Sequence, residues 1–142
     1  KIKNFICIEV NPLSVFITKI AVLYEYKNNL KDIDSIPVYW GDVLLNEKYQ
    51  YENGEIVANE DFTDLQNKIG VVIGNPPWVS WKSMTKGYQN LVGDDWRSYD
   101  IFEKNITRKT LGACNDDLSS YFVYYSIDKF LKDNGLLSKL YI

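Results

Sequence analysis

The first apolar run, Phe5-Ile6-Cys7-Ile8, stops at Glu9 and reads as a short buried strand. Asn11 then offers an N-cap, with Pro12 at the favoured first helical position. Leu13, Phe16, Ile17, Ile20, Ala21 and Tyr24 follow at helical spacing, which predicts a helix that packs this face on a sheet and ends at Asn28-Asn29. Ile36-Pro37-Val38-Tyr39-Trp40 predicts a second strand, followed by Gly41-Asp42. Asn53-Gly54, between Tyr51 and Ile56, is a strong two-residue turn signal and places a hairpin at about 49–57. A short helical stretch is expected around Phe62 to Asn67.

Val71-Val72-Ile73-Gly74 has no polar interruption and predicts a strand buried on both faces. From Ser80 to Cys114 the pattern is irregular and reads as a long loop, which in a compact domain is usually functional. A last helix is expected from a cap at Asn115 or Asp116, with Leu118, Tyr121, Phe122 and Tyr125 on one face, widened by Ile127, Phe130 and Leu131. Asn134-Gly135 would close it in the left-handed manner, and Leu136 to Ile142 would form a final strand. Strand, helix, strand, hairpin, strand, helix, strand implies an α/β fold of mostly parallel strands with flanking helices and a hairpin insertion.

Composition narrows the chemistry. Hydrophobic residues make up 46% and charged residues 25%, an ordinary globular balance for one domain. No apolar stretch approaches the ~20 residues that span a bilayer. Two widely separated cysteines, Cys7 and Cys114, do not make a disulfide framework, and a reducing cytoplasm is the expected setting. The chain contains no histidine, which excludes histidine-based acid–base or triad chemistry and argues against a zinc site. A net charge of −3 argues against a stand-alone nucleic-acid binder, though not against a catalytic module whose DNA grip lies elsewhere.

The candidate chemistry sits at Asn75-Pro76-Pro77-Trp78, directly after the Val71 strand. Two prolines fix φ and stop the chain from entering a ladder or a helix. Such a turn holds a planar amide acceptor, a backbone carbonyl and an aromatic face in a stiff cup at a strand's carboxyl end, where ligands bind in open α/β sheets. That combination suits a planar substrate bearing an amino group. The plain alternative is a turn, since Asn-Pro is a common turn signal and Pro-Pro a common stiffener.

The run Ile8-Glu9-Val10-Asn11-Pro12, then Gly41-Asp42, then Val71 to Trp78, resembles in order and spacing the N6-adenine DNA methyltransferases of restriction–modification systems, fused restriction–methylation enzymes included. Asp117 to Phe122 and Leu131 to Gly135 resemble the helix and turn that follow in those enzymes. The resemblance covers most of the chain apart from the hairpin and the 80–115 loop. It implies a Rossmann-like methyltransferase sheet that uses S-adenosylmethionine, with DNA as substrate, a prokaryotic cytoplasm as its setting, and a restriction or specificity subunit or domain as a possible associate. Glu9 would accept from the cofactor's ribose hydroxyls, Asp42 would contact its adenine amino group, and Asn75 would also lie near the cofactor. Asn75, Pro76, Pro77 and Trp78 would form the catalytic cup. Trp78 would stack on an adenine flipped from the duplex.

Each role has a structural alternative: a helix-start carboxylate for Glu9, a turn aspartate for Asp42 and a core ring for Trp78. Trp81 is read as core or loop packing. Lys82, Lys86, Arg97, Lys104, Arg108 and Lys109 alternate with aromatics and with Asp94, Asp95, Asp100 and Glu103, so a solvated loop is favoured over phosphate contact.

The likeness has gaps. No Gly-x-Gly occurs, so the family's Gly-rich cofactor turn is absent, and Gly70 stands where the family usually has an acidic residue. In family order that turn precedes Glu9. Residues 1–142 are therefore expected to be a partial methyltransferase domain, inactive alone, from a longer polypeptide that carries the turn and the central strand before Lys1. Two other readings compete. One is methylation of a protein glutamine amide, whose enzymes usually carry Tyr at the position of Trp78. The other is a non-catalytic binding module.

Overall fold

A computed structural model describes residues 5–26, 36–99 and 117–139. The chain divides into two compact units, Lys1–Asp64 and Leu65–Ile142.

In the first unit, β1 (Cys7–Glu9) and β2 (Val38–Asp42) pair in parallel, with Cys7 opposite Val38 and Glu9 opposite Trp40. Helix α1 (Pro12–Tyr26) lies between them in sequence, as a parallel pair requires of its crossover. Asn11 caps it: its Oδ1 accepts the backbone N–H groups of Leu13 at 2.9 Å and Ser14 at 3.3 Å. The face that α1 buries differs from the one expected. Leu13, Phe16, Ile17, Ile20 and Tyr24 are exposed, whereas Val15, Ile36 and Val38 form the core, packed by Cys7, Val22, Leu23 and Trp40. The helix carries two apolar stripes. The shorter Val15–Val22 side chains let it sit close to the β1–β2 pair, and burying such residues is worth about 1.5–3 kcal/mol each.

The hairpin does not leave the sheet. Asp42 Oδ1 accepts from Leu44 and Leu45 N–H at 2.9 and 3.3 Å, closing a turn that sends the chain back along β2. Strand β3 (Glu47–Glu52) therefore pairs antiparallel with β2, and β4 (Glu55–Glu60) with β3. The sheet order is β1-β2-β3-β4, so it is predominantly antiparallel and not the mostly parallel sheet expected. At the tip, Asn53 (φ 51°) and Gly54 (φ 88°) take the positive angles that a tight two-residue turn demands. Phe62, fully buried, accompanies Tyr39 edge-on at 6.4 Å, and its N–H donates to Asn46 Oδ1. In place of the expected short helix after it, Thr63–Leu65 forms a single 3-10 turn.

In the second unit, β5 (Ile69–Gly74) pairs in parallel with β6 (Leu131–Lys139). Val71, Ile73 and Leu136 are exposed, so the β5 run is covered on one face only, a correction to its reading as doubly buried. Helix α3 (Leu118–Lys129) is capped by Asp117, one residue beyond the expected caps: its carboxylate accepts Ser120 N–H at 3.1 Å. The helix ends at Phe130, whose N–H donates to Ser126. Asn134 (φ 60°) does not close it. It sits inside β6, where the register shifts between the Ile69–Leu131 and Val71–Leu136 pairs, and the strand begins at Leu131 instead of Leu136. The supposed loop after Ser80 contains a 3-10 turn, Trp81–Ser83, and a thirteen-residue helix α2 (Lys86–Ser98) capped by Thr85. Residues 100–116, with Lys104, Arg108, Lys109 and Cys114, lie outside the described residues, as do Asn28, Asn29 and 140–142. No helix among the described residues is long and apolar enough to cross a membrane.

Candidate functional site

Asn75 to Val79 form an irregular arch that leaves the carboxyl end of β5, and both ends of the arch are anchored. At the first end, Pro76 is buried in a crevice with Gly74, Phe122, Val123 and Leu137. Gly74 is not at a positive φ. Its role is contact: a Cβ there would stand 3.1 Å from Phe122 Cε1, so the missing side chain lets α3 close over the strand end. At the second end, Leu118 N–H donates to Val79 carbonyl at 2.8 Å, and Ser80 bridges to Asp117. The start of α3 therefore holds the exit of the arch.

Between the anchors, Asn75 and Pro77 are exposed, and Trp78 retains 51% of its surface. No hydrogen bond among the described residues engages the Asn75 side chain. The arch thus offers an amide and an indole to solvent on a backbone restrained by two prolines. It contains no titratable group. The chemistry available here is hydrogen-bond acceptance and stacking, without proton transfer to a side chain.

An aromatic stack begins at Trp81, shortly after the arch. Trp81 meets Trp96 edge-on at 5.3 Å, and Trp96 lies flat on Tyr121 at 5.3 Å, with both of the latter fully buried. Tyr125 and Phe130 continue the row. Two hydrogen bonds tie α2 to α3: Tyr121 hydroxyl to Asp95 Oδ2 at 2.7 Å, and Tyr99 hydroxyl to Asp128 Oδ2 at 2.9 Å. Burial first, then the carboxylate partner, pushes both phenols well above the usual tyrosine range. Asp128 is held below the usual carboxylate range, chiefly by Lys129. Trp81 is packing, as the sequence suggests. Trp96, Tyr121 and Asp95 as a set were missed, although Thr85 as a cap and Tyr88, Val92 and Trp96 at i, i+4, i+8 carry the signal for α2.

The other site residues lie in the first unit, where the carboxyl ends of the parallel strands β1 and β2 bring Glu9 and Asp42 to one edge. Glu9 Oε1 accepts Asn11 N–H at 2.9 Å, while no described residue engages Oε2. Val10 carbonyl accepts from Trp40 Nε1 at 2.9 Å and fixes the backbone beside it. Asp42 closes the β2–β3 turn, so its structural alternative is realised through Oδ1. Lys82 and Lys86 are exposed, and Arg97 pairs with Asp94 one turn earlier on α2. Among the described residues no group of three or more acidic or sulfur side chains is arranged to hold a metal ion.

No curated protein and no solved structure matches the sequence. A family model does: that of the Eco57I restriction-modification methylase matches residues 3–141, and the chain belongs to this family.

Proposed function

We propose that the chain carries the target-base cup and part of the cofactor surface of an enzyme that transfers a methyl group from S-adenosylmethionine to N6 of an adenine flipped out of DNA. The observation that carries this reading is the arch itself. Asn75 and Trp78 stand exposed at the carboxyl end of a parallel strand, on backbone anchored at Pro76 and Val79. DNA is the partner the reading requires.

Asn75 Oδ1 and the Pro76 carbonyl accept the two N6–H groups of the adenine. The amine is a poor nucleophile because its lone pair is delocalised into the ring. Two fixed acceptors favour the pyramidal nitrogen that develops during attack, so they stabilise the transition state more than the ground state. The N6 proton becomes acidic once nitrogen is methylated, so water suffices to remove it, in keeping with an arch that has no titratable group. Trp78 stacks on the base, a contact worth about 1–3 kcal/mol.

Glu9 fits one part of the cofactor. No described residue engages its Oε2 at the end of β1, where a carboxylate accepts from a ribose diol. Asp42 fits less well, with Oδ1 committed to its turn. S-adenosylmethionine, when bound, supplies the electrophilic methyl group.

The test is Asn75→Ala in the full-length protein, assayed by tritiated methyl transfer to unmethylated plasmid DNA. Turnover should fall by about a hundredfold or more, as for loss of a transition-state hydrogen bond, with cofactor affinity nearly unchanged. Equal loss of cofactor binding, or methyl transfer to a glutamine peptide in place of DNA, would refute the assignment.

A further inference from the structure

We propose that Trp81 is a positioning residue for Trp78, held in a notch that α2 presents at Gly93, so that α2 sets the geometry of the base-stacking cup. The proposal rests on the reading of Asn75–Trp78 as an adenine cup and goes beyond it by giving a role to the segment after the cup.

Trp81 is half-buried and held at both its ring and its backbone. Its indole Cη2 lies 3.1 Å from where a Cβ on Gly93 would be, so any larger residue there would push the ring by a few tenths of an ångström. Trp96 presses on the indole edge-on and is itself stacked on Tyr121 of α3. The Trp81 carbonyl accepts Gln89 Nε2 at 2.6 Å and Met84 N–H at 3.2 Å. Ser83 N–H closes the 3-10 turn on Ser80 carbonyl at 2.9 Å. Three residues upstream stands Trp78. The intervening Val79 and Ser80 are pinned to the start of α3, and the notch pins the residue after them.

A clamped exit leaves the Trp78 backbone few orientations. Geometry is where such a residue acts, because a misplacement of about 1 Å at a reacting centre costs about a hundredfold in rate. The effect belongs in kcat: Trp81 touches neither reacting group, but it fixes how the stacked base is presented.

The experiment measures kcat and KM for unmethylated plasmid DNA, cofactor affinity and the urea midpoint of the full-length protein carrying Trp81→Ala, Trp81→Phe or Gly93→Ala, with Asn75→Ala as reference. Trp81→Ala should lower kcat about tenfold or more, with cofactor affinity unchanged, and Trp81→Phe should recover most of it. Gly93→Ala is the sharper variant. Alanine favours helix over glycine, which offsets much of the crowding against the ring, so the urea midpoint should change little while kcat falls because the new methyl displaces the indole. Wild-type kcat in both Trp81→Ala and Gly93→Ala, with Asn75→Ala inactive, overturns the positioning role and leaves the cup intact. Wild-type turnover in Asn75→Ala overturns the cup reading itself.

Discussion

The hydroxyl of Tyr121 on α3 donates to Asp95 Oδ2 on α2 at 2.7 Å, joining two helices separated in sequence by the whole 100–116 segment. Tyr121 is fully buried, so the bond is shielded on one side and has a charged acceptor on the other. Hydrogen bonds to charged groups contribute about 1.5–3 kcal/mol, and Asp95 retains partial access to water, which lowers that figure. Tyr121→Phe keeps the stack on Trp96 and removes only this bond. It should destabilise the protein by about 1–2 kcal/mol, read as a lower urea midpoint with an unchanged slope. An unaltered midpoint would mean that this bond contributes nothing beyond the stacking and the Tyr99–Asp128 bond.

The same phenols set an alkaline limit. Tyr49, Tyr99 and Tyr121 are all raised above the ordinary tyrosine value of 10.0, by burial first and then by Glu47, Asp128 and Asp95 respectively. The folded state therefore holds these protons more tightly than the unfolded chain. Their contribution is complete below the unfolded pKa and is lost as pH climbs through it toward the folded values. Urea midpoints should be flat from about pH 6 to about pH 9 and decline steeply above about pH 10, with a shallower decline in Tyr121→Phe. A midpoint that stays level through that range would contradict the cause assigned to the shifts.

How much of this was legible depends on the range of the interaction. Asn11-Pro12 and Asn53-Gly54 act within three residues, and both places match. The α1 face went wrong because Leu13–Tyr24 and Val15–Leu23 are both apolar stripes, and only the β1–β2 pair decides between them. Asn134 was misplaced because a positive φ serves a helix end and a strand irregularity alike. Helix α2 was hidden by Gly87, Gly93 and the Asp94-Asp95 pair, each a poor helix former. The Asn75–Trp78 arch was readable from prolines and polarity alone. Its anchors were not, because Phe122, Asp117 and Leu118 reach it from distant sequence.

The hairpin tip gives a prediction without functional cost. Gly54 is at φ 88°, and a Cβ there would meet nothing within 4 Å. Gly54→Val therefore costs only backbone strain, about 1–2 kcal/mol. The urea midpoint should fall accordingly while methyl transfer by the folded protein stays at wild-type rate. A loss of turnover would assign the tip a role in the reaction.

Gly74 and Phe122 should behave as a coupled pair. Gly74→Ala puts a methyl 3.1 Å from Phe122 Cε1, directly before Asn75. Overpacking of this kind costs about 1–3 kcal/mol, and the strain falls on the arch. Turnover should drop about tenfold, by the same geometric sensitivity. Phe122→Leu shortens the opposing side chain, so the double variant should recover turnover that Gly74→Ala alone loses. Additive losses in the double-mutant cycle would show that the two do not act through their contact.

Glu9 and Asp42 can be separated by asking which carboxylate is spent on the fold. Glu9→Gln keeps an oxygen for Asn11 N–H and removes the charge. Under the proposed function it should weaken S-adenosylmethionine binding about tenfold, the equivalent of ~1.4 kcal/mol, with little change in urea midpoint. Asp42→Ala deletes the acceptor that closes the β2–β3 turn through Leu44 and Leu45. It should lower stability by about 1 kcal/mol, whatever it does to the cofactor. Isothermal titration beside urea unfolding distinguishes the two. If Glu9→Gln binds cofactor as the wild type does while its midpoint falls, Glu9 is a helix-start carboxylate and nothing more, and the cofactor surface must be sought elsewhere in the protein.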